Sequence, residues 1–425
     1  MPPADDRSSH PRDQRGPAAR QPIRDGRAAA WWVLAELAAG RQERATTALA
    51  ALSLDEREAA LARELSLGVI RHQRLYDWLA GGFLRAGGQP EPLLLALRLA
   101  AHQLFALDRI PVHAAVDASV ELLRAHGHQR LTGVANAVLR KLGALRLAER
   151  AGEGPLGRIA RAQWPGDPAV LNSLPDQLVA DLRERSAPDR PLDALNLVPH
   201  LSTRSRPGAP RPNGSGVLRQ EGEWTWWRDP HEAISGPVAR GEAVVQDRSQ
   251  GRLVEICHPR AGELVLDLCA APGGKALAFG DHGCRVVAGD SAAARIARLR
   301  ENLGAGARIL LQDARAPALL PAFATVVVDA PCSNSGVLAR RPEARWRYCQ
   351  PYLAQLERLQ RELLAAASAL VEPGGRLVYA TCSVSPRENQ AISHRLDGWR
   401  ILAEESSWPS PWQGGAYAAV LVRSG

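Results

Sequence analysis

Lysine is almost missing from this chain: of 53 basic side chains only Lys141 and Lys275 are lysine, and all the others are arginine. A lysine kept at only two places invites the question of what holds it there. Cysteine is absent from the first 256 residues, and the six present fall at 257, 269, 284, 332, 349 and 382. No two stand in a C-x-x-C relation, which removes the usual spacing of a structural zinc site. The polar N-terminus has no apolar core of about 7 to 15 residues, so a secretory signal is not expected. No later run approaches the roughly 18 apolar residues of a membrane span. Together these absences exclude a secreted disulfide scaffold and lead to an expectation of a cytoplasmic protein with free thiols, no metal and no membrane partner.

What is present is a chain of 425 residues, 45% hydrophobic, enough for two to four domains at about 100 to 200 residues each. The net charge of +8 is compatible with a polyanionic partner without requiring one. Residues 1–25 carry no apolar periodicity and read as a disordered tail. From 26 to 147 apolar residues recur at helical spacing. Ser53 and Glu56 suggest a capping-box start, and further helices are expected over 93–107, 114–127 and 131–142. Residues 148–240 read as linker helices and a small α+β domain. Pro and Gly gather at 153–168 and 205–216, a helix is expected over 174–185, and the tryptophan cluster EWTWW spans 223–227. From 241 to 425 strands alternate with helices, and the strands at 263–269, 285–290, 307–313, 324–330 and 375–383 are continuous apolar runs, as in strands buried on both faces. This predicts a Rossmann-like, mostly parallel sheet, with a C-terminal hairpin at one edge.

Ligands of such sheets bind beyond the carboxyl ends of the strands. Those ends carry Asp267, Asp290, Asp313 and Asp329, an acceptor-rich rim. The first loop, CAAPGGK (269–275), lets backbone amides approach a ligand at a helix start, yet matches neither phosphate-binding glycine pattern. Asp290 lies 23 residues after Asp267, near the offset at which an acidic residue meets ribose hydroxyls. A nucleoside ligand with no demand for phosphate fits, and S-adenosylmethionine is such a ligand.

Two strand ends also carry thiols, in Pro331-Cys332-Ser333 and Thr381-Cys382-Ser383. A methyl donor beside a thiol suits methylation at carbon 5 of a pyrimidine. That carbon becomes nucleophilic only after another nucleophile adds at carbon 6, which a cysteine can do and later undo. A ring nitrogen must gain a proton at the same time, and Asp329 is placed to serve as the acid.

QDRSQ (246–250), DLCAAPGGK (267–275), DAPCSNSG (329–336) and YATCSVSPREN (379–389) resemble, in order and spacing, the cytosine-5 RNA methyltransferases of the Nop/Sun family. The helical region, through RELSLGVIR (63–71), 97–122 and GVANAVLRKL (133–142), is similar to the NusB antitermination factor. The resemblance covers roughly residues 27–395. It implies an all-α NusB-like domain, a small α+β domain and a Rossmann-like catalytic domain. It also implies S-adenosylmethionine as cofactor, and methylation of one cytosine in 16S ribosomal RNA; the partner is expected to be naked RNA or a partly assembled small subunit, and the protein a monomer. By that resemblance Cys382 is the nucleophile and Cys332 assists product release. In DNA cytosine-5 methyltransferases the Pro-Cys thiol attacks, so the two comparisons assign opposite roles. Cys269, Ala270, Ala271, Pro272, Gly273, Gly274 and Lys275 would line the methionine part of the donor, Asp290 the ribose and Asp313 the adenine, with Asp329 between donor and base.

The chain departs from the family at Ala276, where threonine is usual, and at Asn334, where the family has glycine. It also departs at Arg387-Glu388 and in the C-terminal strand. For RNA contact, which needs cations and stacking surfaces, the candidates are Arg340, Arg341, Arg345, Trp346 and Arg347 after the Pro-Cys loop, and Arg140 and Lys141. A non-catalytic ribosome-assembly or antitermination factor is the alternative, disfavoured by the two intact thiols. A DNA methyltransferase is disfavoured by the Thr-Cys motif and the NusB-like region.

Overall fold

The first helix begins where Asp25 accepts the Ala28 N–H at 2.8 Å, a side-chain cap that satisfies one of the open amides of a helix start. The computed structural model describes residues 23–146, 165–183, 190–320 and 323–424. The expected tail therefore lies, up to residue 22, outside the described residues, as does most of the Pro/Gly stretch at 153–168.

Six helices form the N-terminal domain: α1 (Gly26–Ala38), α2 (Ala45–Ala50), α3 (Glu56–Gly81), α4 (Glu91–Ala106), α5 (Val112–Ala125) and α6 (Thr132–Leu145). Almost every residue of α4 from Leu93 to Phe105 is buried, which is the pattern of a helix surrounded by others. It touches α1, α3, α5 and α6. The start of α3 differs from the expected capping box. Asp55 and not Ser53 is the cap, accepting from Glu58 N–H at 2.9 Å, because the helix begins two residues later than the Ser53–Glu56 pair requires.

Two short helices, α7 (Pro168–Leu171) and α8 (Asp176–Leu182), lead into a four-stranded antiparallel sheet of order β2-β3-β1-β4. Its strands are β1 (Leu201–Ser205), β2 (Val217–Glu221), β3 (Trp224–Trp227) and β4 (Ala243–Val245), with the one-turn helix α9 (Pro230–Ala233) before β4. Because β4 pairs with β1, the small sheet runs past the boundary placed at residue 240. The tryptophan cluster is core: Trp224, Trp226 and Trp227 are all buried, and Trp227 Nε1 donates to Thr203 Oγ1 at 2.9 Å.

The C-terminal domain follows as α10 (Arg248–Cys257), β5 (Leu264–Asp267), α11 (Gly274–Asp281), β6 (Arg285–Asp290), α12 (Ala293–Leu303), β7 (Arg308–Leu311), β8 (Phe323–Asp329), α13 (Gln350–Ser368), β9 (Val371–Thr381), α14 (Gln390–Ser393), β10 (Trp399–Ser407) and β11 (Ala416–Arg423). Its sheet order is β10-β11-β9-β8-β5-β6-β7. Strands β5 to β9 are parallel, and β10–β11 form the antiparallel hairpin at one edge. Alternate strand residues feed two cores. Leu266, Val326, Val328, Leu377 and Tyr379 meet α13 through Leu363 and Leu364. Val265, Val327, Val378 and Ala380 meet Leu253, Val254 and Phe279 of α10 and α11. That two-sided burial explains the unbroken apolar runs. From β5 the chain winds outward to β6 and β7, then returns to place β8 on the other flank of β5. The topological switch point, where such sheets open a crevice, therefore lies between β5 and β8.

Candidate active site

The β5 end and the loop after it form one wall of this crevice. Asp267 is fully buried, and neither carboxylate oxygen has a hydrogen-bond partner. Burial pushes its carboxyl up to about 7, against the pull of nearby Lys275. Ala270 N–H donates to Gly289 O at 2.9 Å and Asn302 Nδ2 to Pro272 O at 2.7 Å, which fixes both sides of the loop. Gly273 then starts α11 at φ 111°, a left-handed conformation that costs glycine nothing. No side-chain cap is made there, and buried Ala276 fills the first turn without a hydroxyl.

Lys275 answers the question raised by lysine scarcity. It is 8% exposed, and its ammonium donates to both Gln250 of α10 and Asp329 at the end of β8. Burial alone lowers its pKa, but the Asp329 carboxylate outweighs this and holds the pKa above the ordinary lysine value. Asp329, itself half-buried, therefore stands as the acceptor of the ion pair. At the next strand, Asp290 is buried and spends Oδ1 on the Ala292 N–H at 3.1 Å and on Arg295 Nε at 2.8 Å.

The two thiols meet. Cys332 Sγ and Cys382 Sγ lie 3.2 Å apart at the ends of β8 and β9, adjacent parallel strands in which Asp329 registers with Ala380. Cys332 is buried and Cys382 half-buried. The hydrogen bond to Cys382, and then burial, hold the Cys332 thiol well above the usual range, so it remains protonated. Cys332 is shut from solvent because its loop is sealed by the chain around it. Gly336 N–H donates to Cys382 O at 3.0 Å and Gly415 N–H to Gly336 O at 2.7 Å. A Cβ on Gly336 would stand 2.2 Å from Gly415 O, so only glycine permits that approach.

A carboxylate that carried no role in the sequence reading joins the two loops. Glu388 is fully buried and accepts from Ser333 N–H at 2.7 Å, from Ser333 Oγ, from Ser383 Oγ at 2.7 Å and from Gln360 Nε2 at 3.2 Å. Asn389 works beside it, accepting from Thr381 Oγ1 at 2.6 Å and donating to Ser383 O at 3.0 Å. Each serine follows one of the cysteines. The QDRSQ segment does the same for the opposite wall: Gln246 Nε2 donates to Gly274 O at 3.2 Å, while Asp247 accepts from Gly414 N–H and Arg340.

A family model described as 16S rRNA methyltransferase RsmB/F matches residues 254–400, and a NusB family model matches residues 26–144. A protein of Synechocystis sp. named as a probable ribosomal RNA small subunit methyltransferase B is 32% identical over 384 residues, 82% of this chain and 83% of that one. The ribosomal RNA small subunit methyltransferase B of Erwinia tasmaniensis is 32% identical over 79% of this chain and 81% of its own. The chain belongs to the small-subunit ribosomal RNA methyltransferase B family. The crystal structure of PH0851 shares the fold, with a TM-score of 0.69 at 21% identity over 93% of this chain and 98% of its own.

The cofactor of the methyltransferase B family is S-adenosylmethionine, and the residues present fit it. A buried carboxylate with two unpartnered oxygens, Asp267, suits the ammonium of an amino acid, and the Gly273–Gly274 turn leaves backbone room beside it. Asp313 is less well placed than expected. It is half exposed and clasped by Arg315 through Nε and Nη2, at 3.1 and 2.7 Å, which holds its carboxyl low, at about 2. The buried group at that strand end is the neighbouring Gln312, whose Nε2 has no partner.

In this member of the methyltransferase B family the arginine segment after the Pro-Cys loop divides in two. Arg345 is fully buried and donates to Arg71 O at 2.6 Å, Ser173 O at 3.0 Å, Asn196 Oδ1 at 2.9 Å and Pro342 O at 3.1 Å. It is therefore not an RNA contact. It ties the catalytic domain to α3 and to the loop before α8, and the interleaved pattern could not show this because a buried and an exposed arginine look alike in sequence. Trp346 donates to Ile70 O at 3.1 Å yet stays 37% exposed. Arg340 is committed to Asp247. Arg341 and Arg347 remain exposed, Arg341 donating to Asn334 Oδ1 at 2.9 Å and Arg347 lying 5.8 Å from the Tyr352 ring centroid. Arg140 and Lys141 are exposed on α6, with the Lys141 ammonium 5.4 Å from the Phe83 ring centroid.

Proposed function

We propose that the protein methylates carbon 5 of one cytosine in 16S ribosomal RNA through a covalent adduct between Cys382 and carbon 6 of the base. The observation that carries this reading is the pair of thiols 3.2 Å apart beside the Lys275–Asp329 pair, at the switch point of the sheet. S-adenosylmethionine, when bound, supplies an electrophilic methyl group. Asp267 and the loop from Cys269 to Lys275 take its methionine part, and Asp290 takes the ribose. Asp313 reaches the adenine only by giving up Arg315.

The half-buried Cys382 gives up its S–H proton to solvent, its sulfur adds to carbon 6 and breaks the 5,6 double bond, and the electron pair moves toward the ring nitrogen N3, which gains a proton. Asp329 and Lys275 share one proton at the point where it is needed, so Asp329 acts at N3 with Lys275 as its source. This refines the simple acid role, because Asp329 is the acceptor in the resting pair. Carbon 5, now part of an enamine, takes the methyl group. The Cys382 sulfur then leaves with the carbon-6 bonding pair and takes a proton from Cys332, the carbon-5 proton passes to the Cys332 sulfur as its bonding pair reforms the 5,6 double bond, and N3 returns its proton through Asp329 to Lys275. Arg341, Arg347 and Trp346 form the face that meets RNA; a base-paired target must first leave its stack. The substrate, naked RNA or partly assembled subunit, is met in the cytoplasm.

The test is an incubation with S-adenosylmethionine and 16S transcript followed by a denaturing gel. Cys332→Ala accumulates a protein–RNA adduct and Cys382→Ala forms none and has no turnover. Turnover retained in Cys382→Ala would overturn the nucleophile, and absence of an adduct in Cys332→Ala would remove the release role.

A further inference from the structure

Asn334 occupies a position where the resembled family has glycine, and the backbone explains why asparagine is tolerated: φ is 62° and ψ 23°, the left-handed region that asparagine enters more readily than other side chains. Its side chain is engaged on three sides. Arg341 Nη1 donates to Oδ1 at 2.9 Å, Nδ2 donates to Cys332 O at 2.9 Å, and Cys382 Sγ lies 3.4 Å from Oδ1. These partners leave no freedom to exchange the two ends of the amide, since a guanidinium only donates and a carbonyl only accepts. The atom facing Cys382 is therefore the amide oxygen. An oxygen lone pair there is satisfied by S–H and repelled by S⁻.

We propose that Asn334, fixed by Arg341, is a positioning residue that orients the Cys382 sulfur through its amide oxygen and keeps its hydrogen in place until RNA engages Arg341. This rests on the reading of Cys382 as the nucleophile. The other groups facing that sulfur are the Cys332 thiol from the β8 loop and the Lys275 ammonium from α11 with Asp329 behind it. Glu388 acts from below through Ser383. Of these only the Cys332 sulfur, 3.2 Å away, can also take the thiol hydrogen, and a thiol sulfur is a weaker acceptor than an amide oxygen; Lys275 is a cation, and Glu388 is saturated by four donors. Arg341 is exposed, so a phosphate can compete for its guanidinium. Losing that donor frees the amide to rotate.

The inference is tested on the full chain by the rate at which iodoacetamide alkylates Cys382, followed by peptide mass spectrometry across a pH series. Asn334→Gly, which suits the backbone, should speed alkylation near neutral pH about fivefold, the equivalent of one ordinary hydrogen bond. Arg341→Ala should move it the same way, and Arg341→Lys should restore part of the wild-type profile. A 16S transcript should accelerate alkylation of the Asn334→Gly protein less than that of the wild type. Thermal melting of each variant separates these effects from unfolding. Profiles of Asn334→Gly and wild type that superimpose would overturn the inference. The two failures are distinguishable, because turnover in Cys382→Ala removes the nucleophile reading, whereas superimposed alkylation profiles remove only the role of Asn334.

Discussion

Replacing Glu388 by glutamine changes one oxygen for an amide nitrogen in a site with four donors and no cation. The Ser333 N–H and Gln360 Nε2 still find the remaining carbonyl oxygen. The two hydroxyls do not: Ser333 Oγ and Ser383 Oγ both donate to the other oxygen, and now face an NH₂. Ser333 Oγ already accepts from Ser335 N–H at 3.3 Å, so reversing it strands its hydrogen, while the Ser383 hydrogen can turn only to Ser335 Oγ at 2.8 Å, which then loses Ser383 as its own acceptor. Two hydrogen bonds to a charged group are lost, each worth about 1.5 to 3 kcal/mol when a charge is involved. Partial acceptance by the hydroxyls returns some of that, for a net loss of about 2 to 4 kcal/mol, a large share of the roughly 5 to 15 kcal/mol of a typical domain. Both cysteine loops should loosen together, so turnover should fall more than the affinity for S-adenosylmethionine, whose expected contacts lie on the β5 and β6 side. Urea unfolding and single-turnover methyl transfer on the same preparation measure the two quantities. A Glu388→Gln protein within about 0.5 kcal/mol of wild type and with full turnover would refute the view that this carboxylate ties the loops.

Three further outcomes follow from other parts of the molecule. Asp267 has a folded pKa of about 7, above the roughly 3.9 of an unfolded aspartate, so the folded form holds the proton between those values. The free protein should lose stability as pH rises from about 4 to about 7, on the order of 4 kcal/mol, and Asp267→Asn should remove that slope; parallel urea curves would count against it. Arg345→Met removes a buried guanidinium from five acceptors and should cost about 2 to 4 kcal/mol with little change in the RNA affinity of the folded fraction. Arg347→Ala should do the reverse, leaving the melting temperature near wild type while weakening RNA binding and reducing the salt slope by about one; an unchanged slope in filter binding would exclude a phosphate contact.

Much of the architecture could be read from the chain because parallel strands buried on both faces advertise themselves as apolar runs, and because their carboxyl ends must carry the site. That reasoning reached Asp267, Asp290, Asp329, Lys275 and both thiols. It did not reach what holds them. Glu388, Asn389, Asp247 and Gln250 sit in the motif strings, but their partners come from segments distant in sequence, such as Ser333 for Glu388. Arg345 shows the same limit from the other side, since a charge cluster reads as a solvated face until burial is known. Even at short range the outcome turned on geometry: Asp55 took the cap assigned to Ser53 once the helix started later, and Ala243–Val245 joined the small sheet.

The central claim is the atom that receives the methyl group. Nucleoside mass spectrometry of 16S transcript, treated with the protein and isotopically labelled S-adenosylmethionine, measures it directly. The account predicts labelled 5-methylcytidine with wild type and none with Cys382→Ala. Label in any other nucleoside, or labelled 5-methylcytidine made by Cys382→Ala, would contradict it.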